Sequence, residues 1–268
     1  MWGGMRWVTR VVAFAGLYCR LGVDRGRSLE PRSAGFLSGR RYRAPGRGPG
    51  DEADWRDDRP LPGLTVRKLI WMISASVDGY MEGPNRDIDW HMVDDELHRH
   101  LNGWLAGAGG FLEGRATYEL MADYWPSADQ DPSATPAVVE FARIWRDVPK
   151  VVYSRTLERA DWHATVVHDV VPAEVLALKA QPGGDLVLGG SDLAAEFVRH
   201  DLIDEYRLYL HPVVIGRGTP MLRPSDAKVP LRLMETETFG NGVIMLRYER
   251  GIPEYVKRNL IDKGTRQW

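Results

Sequence analysis

Hydrophobic positions switch between strand-like and helix-like spacing from residue 68 onward. Short apolar runs between Gly, Pro or polar residues predict strands, and apolar residues at intervals of three and four predict amphipathic helices. Because strands that alternate with helices need crossover connections, we expect a mainly parallel sheet. The predicted strands lie near 68–77, 109–113, 149–153 and 164–168, and the predicted helices near 94–106, 115–122, 136–146 and 173–180.

The pattern changes after residue 204. Residues 204–215, 231–238 and 243–250 are predicted as strands without helices between them, and Asn241-Gly242 is a strong hairpin signal. The apolar run over 213–215 predicts burial on both faces. We therefore expect a three-layer α/β fold, in which helices cover both faces of a mainly parallel central sheet with antiparallel C-terminal strands.

A glycine-rich turn follows a further short strand within Gly-Asp-Leu-Val-Leu-Gly-Gly-Ser-Asp-Leu, residues 184–193. Ser191 is predicted as the N-cap of the helix that follows. Glycines let a ligand approach the main chain, and the unpaired N–H groups of a helix N-terminus favour an anion. An ordinary strand-to-helix turn has the same pattern. The predicted pyrophosphate cradle consists of Gly189, Gly190, Ser191, Asp192 and Leu193.

Two other predicted strands end in groups suited to phosphate. The carboxyl ends of parallel strands lie at one edge of a sheet, where ligands bind in open α/β folds. Guanidinium and hydroxyl groups at that edge can bind phosphate oxygens, so the pattern predicts a dinucleotide with an extra ribose phosphate, NADPH rather than NADH. The residues concerned are Gly114, Arg115, Thr117, Ser154, Arg155 and Thr156.

Four motifs follow one another in order between residues 67 and 250. They are the Ser-x-Asp-Gly turn in 73–80, Gly-Arg-x-Thr in 114–119, the Asp-Glu pair in 202–208, and Pro-x-x-x-Gly-x-Gly in 211–218. Together they resemble the dihydrofolate reductase-like family, in the branch that holds the reductase domain of the bacterial riboflavin-pathway deaminase-reductase.

This resemblance implies an NADPH-dependent reductase that transfers hydride to a heterocyclic or ribosylated substrate. The activity most directly implied is reduction of 5-amino-6-(5-phosphoribosylamino)uracil in riboflavin biosynthesis, and pteridine or dihydrofolate reduction is the alternative. The resemblance also implies that Ser76, Asp78 and Gly79 contact the cofactor. Finally, it implies a homodimer formed through the C-terminal strands and the segment 204–218.

Two positions depart from the family's pattern. Leu188 stands where the riboflavin-pathway reductase has a glutamate, just before the cradle. The segment 88–91, Ile-Asp-Trp-His, replaces the Pro-Trp loop of the classical folate reductases. The substrate therefore stays open, and so does a third reading, a nucleotide-binding module without turnover.

An acidic cluster near residue 95 is the candidate proton source. In dihydrofolate reductases a tryptophan after the first strand precedes, by five residues, the carboxylate that supports protonation. Trp90 and Asp95 have this spacing, so the resemblance implies Asp95 as that carboxylate, with Asp94 second. A carboxyl group in a low-dielectric cleft can deliver a proton. Acidic residues in the first turn of a helix also stabilise its dipole, so both roles stay open.

Composition limits the remaining classes. The single cysteine, Cys19, allows no internal disulfide, which suits a reducing cytoplasm. The His-x-Glu and Pro-Cys-x-x-Cys zinc ligands of nucleobase deaminases are missing, so we expect no metal.

The first 65 residues differ from the rest of the chain. They hold 12 Arg, no Lys and 7 Asp or Glu, with many Gly and Pro and no sustained apolar period. We expect an unfolded extension over 1–65, a reductase domain over 66–250 and a tail over 251–268. The apolar piece at 11–19 is shorter than the roughly 20 residues that cross a bilayer. We expect a small-molecule substrate, and neither a membrane nor a nucleic acid as partner.

Overall fold

A computed structural model of the chain describes residues 66–225 and 228–251. The predicted extension over 1–65, with Cys19, and the tail from residue 252 onward lie outside the described residues. The helices are α1 (Asp95–Leu105), α2 (Arg115–Tyr124), α3 (Pro136–Asp147), α4 (Pro172–Lys179) and α5 (Ser191–Arg199). The strands are β1 (Leu69–Ser76), β2 (Tyr80–Glu82), β3 (Gly110–Gly114), β4 (Lys150–Tyr153), β5 (Ala164–Val167), β6 (Leu186–Leu188), β7 (Glu205–His211), β8 (Thr219–Pro220), β9 (Leu231–Thr238) and β10 (Ile244–Arg250).

Eight of these strands form one sheet in the order β5-β4-β3-β6-β1-β7-β10-β9. The pairs from β5 to β7 are parallel, and β10 is antiparallel to both β7 and β9. The predicted fold class is confirmed, including the antiparallel C-terminal edge. The parallel strands all end at the same edge of the sheet, which is where the candidate site lies.

The sheet is packed between two layers of helices. On one face α1, α2 and α3 contribute Leu101, Met121 and Trp145 to the core. On the other face α4 and α5 contribute Val175 and Phe197. All eight residues of β1 are buried, as expected for a central parallel strand covered on both sides. Full burial of one such apolar side chain stabilises the fold by about 1.5–3 kcal/mol.

The strand predicted over 204–215 is shorter than expected and ends at His211. Pro212 comes next, and proline has no N–H to donate to a strand ladder. The run over 213–215 therefore lies in a loop, and Val214 is 71% exposed rather than buried. The carboxylate of Asp78 holds this loop, because it accepts hydrogen bonds from the backbone N–H groups of Gly216 at 2.7 Å and Ile215 at 3.2 Å.

A small antiparallel ribbon beside the main sheet was not predicted. It pairs β2 with β8, and the hydroxyl of Thr219 donates to the carboxylate of Glu82 at 2.6 Å. Strands of two and three residues are too short to show a period of two. The ribbon matters because it carries residues to the rim of the candidate site.

Candidate functional site: a cleft between two helix N-termini

A cleft of about 510 Å³ opens at the carboxyl edge of the parallel strands. Residues that follow β3, β4, β5 and β6 line it, as expected for a ligand site in an open α/β sheet. Of the fourteen cofactor-contacting residues predicted from the sequence, ten line this cleft. They are Gly114, Arg115, Thr117, Ser154, Arg155, Gly189, Gly190, Ser191, Asp192 and Leu193.

Two helices begin at the cleft, and both begin at a glycine. The N-cap of α2 is Gly114 and that of α5 is Gly190, and neither helix has a side-chain cap. By contrast, α1 and α3 are capped by the side chains of Asp94 and Thr135. The first N–H groups of α2 and α5 are therefore available to a ligand, and the positive ends of both helix dipoles face the same space.

The predicted cap of α5 is corrected by one residue. Ser191 is the first helical residue rather than the N-cap, because Gly190 adopts a φ of +83° and turns the chain directly into the helix. Side chains rarely adopt this φ, so the position favours glycine. Without a serine hydroxyl over the helix start, the N–H groups stay open to an anion.

The two helix starts lie side by side. A Cβ atom built on Gly190 would be 3.1 Å from Thr117 Oγ1, and one built on Gly114 would be 4.0 Å from the Cβ of Leu193. Side chains at these glycines would therefore narrow the space between α2 and α5. The N–H groups of both helix starts face this region, and such groups attract an anion such as a pyrophosphate.

The two predicted phosphate-binding arginines are held by neighbours. Arg115 donates through Nε to Glu119 at 2.6 Å and through Nη1 to the hydroxyl of Thr156 at 2.7 Å. Arg155 donates to Oδ1 of Asp169. Thr156 does not itself line the cleft; its hydroxyl accepts from Arg115, and its contact with a cofactor stays a prediction.

Ser154 shapes the turn after β4. Its hydroxyl accepts hydrogen bonds from the backbone N–H groups of Thr156 at 3.2 Å and Leu157 at 2.9 Å. His168, which also lines the cleft, contacts the carbonyl oxygen of Ser154 through Nδ1 at 3.0 Å. The strand ends of β4 and β5 are thereby joined at the cleft.

The turn after β1 lies apart from the residues that line the cleft. Ser76, Asp78 and Gly79 do not line it. The hydroxyl of the buried Ser76 accepts from the N–H of Tyr80 at 3.0 Å and donates to the carbonyl oxygen of Tyr80 at 3.3 Å. Hydrogen bonds, first from Ser76 and then from the 215–216 backbone, lower the pKa of Asp78 below its usual range. That Ser76, Asp78 and Gly79 contact a cofactor stays a prediction.

The three predicted catalytic residues also lie outside the cleft lining. Asp94 accepts from the N–H of Leu97 at 3.0 Å and so caps α1. Asp95 is 52% exposed and lies 3.7 Å from Arg99. Trp90 donates through Nε1 to the carbonyl oxygen of Asp87 at 3.2 Å. The structure thus assigns Asp94 a structural contact, and the catalytic role of Asp95 stays a prediction.

Two stacked histidines lie beside Trp90. The rings of His91 and His211 are 4.9 Å apart, and Trp90 meets both edge-on. Burial, assisted by the neighbouring His211, lowers the pKa of His91 to about 3, and burial lowers that of His211 to about 4. Both rings are therefore neutral at neutral pH, when neither can serve as an imidazolium proton donor.

Sequence reasoning missed several residues of the cleft. His168 and Asp169 follow β5. The expectation that ligands bind at the carboxyl ends of parallel strands, which was applied to β3, β4 and β6, could have identified them. Arg86 and Arg223 come from loops without any periodic signal. The unpredicted residues that line the cleft include Met81, Glu82, Arg86, Leu120, Met121, His168, Asp169, Thr219 and Arg223.

The loop that carries Arg86 has an unusual backbone. Asn85 and Arg86 both adopt left-handed conformations, with φ of 59° and 60°. Such non-glycine residues cost about 1–3 kcal/mol each and concentrate at functional sites. Two hydrogen bonds close the loop. The N–H of Gly83 donates to the carbonyl oxygen of Asp87 at 2.6 Å, and the N–H of Asp87 donates to the carbonyl oxygen of Pro84 at 3.3 Å. The rest of the fold therefore stabilises a position for Arg86 at the cleft.

Glu113 is a buried carboxyl group one residue before Gly114. Its side chain is fully buried, and neither oxygen has a hydrogen-bond partner among the described residues. Burial raises the pKa of Glu113 to about 7, against the opposing charge of Lys150. Lys150 is buried as well and donates to the carbonyl oxygens of Val148 at 2.8 Å and Trp162 at 3.1 Å. Burial lowers the pKa of Lys150 to about 8.

Across residues 66–225 and 228–251, no helix is both long and apolar enough to cross a membrane. In the same part of the chain, no three His, Cys, Asp or Glu side chains come together as ligands for a metal ion.

A family model and two curated proteins match the same part of this chain, which is about two thirds of its length. The family model of the RibD C-terminal domain matches residues 67–245. YyaP of Bacillus subtilis (strain 168) is 32% identical over 186 residues, which cover 69% of this chain and 96% of YyaP. YwjB of the same strain is 26% identical over 187 residues, which cover 69% of this chain and 98% of YwjB.

Solved structures share the fold. A putative riboflavin biosynthesis protein from Shewanella sp. PV-4 has a TM-score of 0.54 and 20% identity, and the match covers 69% of this chain and 99% of that one. Acinetobacter baumannii RibD has a TM-score of 0.50 and 14% identity, with 70% of this chain and 58% of that one covered. At these identities the similarity is one of fold.

Proposed function

Because the chain belongs to the RibD C-terminal domain family, we propose that it is an NADPH-dependent reductase of a heterocyclic, ribosylated substrate. The observation that carries the proposal is the pair of helix N-termini, at Gly114 and Gly190, that open on one cleft without side-chain caps. Such N–H groups and dipoles favour a pyrophosphate. Arg115 and Arg155, at the ends of β3 and β4, would bind the ribose phosphate.

A nicotinamide cofactor, when bound, supplies a hydride to a C=N or carbonyl carbon. The protein's own residues orient the two reactants, exclude water and provide the proton. Asp95 is the residue that we propose to support protonation. His91 and His211 are neutral at neutral pH, so neither is assigned this role as an imidazolium.

We propose 5-amino-6-(5-phosphoribosylamino)uracil as the substrate. Met81, Leu120 and Met121 supply apolar surface for a planar ring, and Arg86 supplies a positive charge for a phosphate. A substrate without an anionic group would make no use of the positive charge that Arg86 brings to the cleft. Dihydrofolate and unsubstituted pterins are therefore the second choice.

Turnover assays on the full chain would test this proposal. We expect NADPH oxidation with 5-amino-6-(5-phosphoribosylamino)uracil, and slower oxidation with its dephosphorylated form, dihydrofolate or a pterin. Arg86→Ala should remove the advantage of the phosphorylated substrate and leave the rate with the dephosphorylated one unchanged. Tight NADPH binding without turnover of any of these would instead identify a nucleotide-binding module.

A further inference from the structure

Arg155 and Asp169 line the cleft and bind each other. Nη2 and Nε of Arg155 donate to the same oxygen, Oδ1 of Asp169, at 2.5 Å and 2.8 Å. The two residues follow neighbouring parallel strands, β4 and β5, so the pair joins two strand ends. The guanidinium that we assign to the ribose phosphate therefore already has a carboxylate partner within the protein.

The positive charge of Arg115 is likewise paired with a carboxylate. Its Nε donates to Glu119, and its Nη1 donates to Thr156, the residue next to Arg155. Two arginines and two carboxylates thus meet in one neighbourhood, and their formal charges cancel. A phosphate gains less from this group than from two arginines without carboxylate partners, because each new contact replaces an existing charge-assisted one.

We propose that Asp169 is a specificity-determining residue that limits the preference for NADPH over NADH. The inference rests on the proposed function, since it places the dinucleotide in this cleft. The 2′-phosphate of NADPH would compete with Asp169 for Arg155 and would be repelled by the carboxylate. NADH carries a 2′-hydroxyl instead, which can donate to a carboxylate, as in dinucleotide sites with an acidic residue at the ribose.

Asp169 has an oxygen available for that hydroxyl. Within the described residues, both hydrogen bonds from Arg155 go to Oδ1. Oδ2 can therefore accept from a ribose while Arg155 stays in place. The side chains are 80% and 57% exposed, and solvent screens such a pair, so we expect a change of about two- to fivefold in cofactor preference rather than orders of magnitude.

Calorimetric titration of the full chain with NADPH and, separately, with NADH would test the inference. The measured quantity is the ratio of the two dissociation constants. Asp169→Asn should raise the preference for NADPH by about two- to fivefold, and Arg155→Ala should lower it. Asp161→Asn is the matched control, because it removes the same charge from an exposed pair with Arg159 outside the cleft. Its ratio should equal that of the unchanged chain.

The possible outcomes distinguish a failure of this inference from a failure of the proposed function on which it rests. If both cofactors bind and Asp169→Asn leaves the ratio unchanged, or weakens both equally, the role of Asp169 is wrong and the dinucleotide site stands. If Asp161→Asn changes the ratio as much as Asp169→Asn does, the effect is one of net charge, and the inference is again overturned. If neither cofactor binds the unchanged chain, the proposed function fails and the inference fails with it.

Discussion

Gly190 and Thr117 lie so close that a Cβ atom on Gly190 would be 3.1 Å from the hydroxyl oxygen of Thr117. The contact joins the turn before α5 to the first turn of α2. A branched side chain at Gly190 would therefore crowd Thr117. Both residues line the cleft in which we propose that the pyrophosphate binds.

Gly190→Val should therefore abolish NADPH binding while the fold persists. The side chain would occupy the ligand's space, and the φ of +83° would add local strain. Circular dichroism and NADPH titration would measure the two effects separately. Gly251→Val is the matched control, because Gly251 also has a positive φ, of +149°, with nothing within 4 Å of a built Cβ and does not line the cleft. Normal NADPH affinity in folded Gly190→Val would remove the cradle assignment.

Asp95→Asn should reduce turnover and spare NADPH affinity. An amide keeps the shape of the carboxyl group but cannot supply a proton, and general acid–base catalysis typically contributes about 10²–10⁴-fold. The loss should be greatest at high pH, where solvent protons are scarce. Steady-state rates from acid to alkaline pH would show it.

Asp94→Asn provides the comparison for Asp95, since Asn also caps helices well and should keep the hydrogen bond to Leu97. We expect nearly normal turnover from it. If Asp94→Asn loses activity and Asp95→Asn keeps it, the alignment of this loop with the family is wrong by one residue. If neither substitution matters, the cluster serves to begin α1 and the proton comes from water.

Glu113 should make the fold less stable as the pH rises. Its folded pKa of about 7 is above the ordinary value of 4.5, so the folded state holds a proton that the unfolded state has lost. Stability from this group is present below pH 4.5, falls between pH 4.5 and 7, and then stays constant. The pKa difference corresponds to a loss of about 3 kcal/mol.

Urea unfolding of the unchanged chain and Glu113→Gln between pH 5 and 8 would measure this loss. The variant should gain stability relative to the unchanged chain as the pH rises, because Gln does not ionise. Lys150 titrates near pH 8 and so contributes little over most of this range. Glu158→Gln, at an exposed glutamate, should leave the curve parallel to that of the unchanged chain. Parallel curves for Glu113→Gln as well would show that Glu113 titrates normally.

The C-terminal strands should form a homodimer interface. Strand β9 is the edge of the sheet, and it exposes 51% of Leu233 and 38% of Met234. An edge strand offers unpaired backbone groups, and exposed apolar side chains on it can pack against another chain. Sedimentation of the full chain at micromolar concentration should show a dimer, and Leu233→Arg should shift it to monomer. Leu176→Arg, on α4 and 55% exposed, should not. An unchanged chain that sediments only as a monomer would refute the interface.

The sequence was informative where residues repeat or follow a strand end. Alternating apolar runs predicted the parallel strands, and Asn241-Gly242 marks the turn between β9 and β10, as expected. The motifs between 67 and 250 predicted a family resemblance that the match over 67–245 confirms. The glycines at the ends of β3 and β6 predicted the cleft, because parallel strand ends share one edge.

Other features depend on contacts between distant parts of the chain, which no local pattern encodes. Arg86 and Arg223 reach the cleft from irregular loops, and the latter is held at 2.6 Å by Asp192. The burial of Glu113 depends on helices packed over β3, and Val214 is exposed because β7 ends at His211, before Pro212. Sequence periodicity predicts which face of an element is apolar, but it does not predict which loop covers that face.

The most direct test of the account is a map of backbone amide NMR shifts as NADPH is added to the full chain. The central claim is that the N-termini of α2 and α5 hold the dinucleotide together. We predict the largest shifts at the N–H groups of residues 115–117 and 191–193, with saturation at one common NADPH concentration. Saturable shifts that leave either of these segments unchanged, or no shifts at all, would contradict the claim.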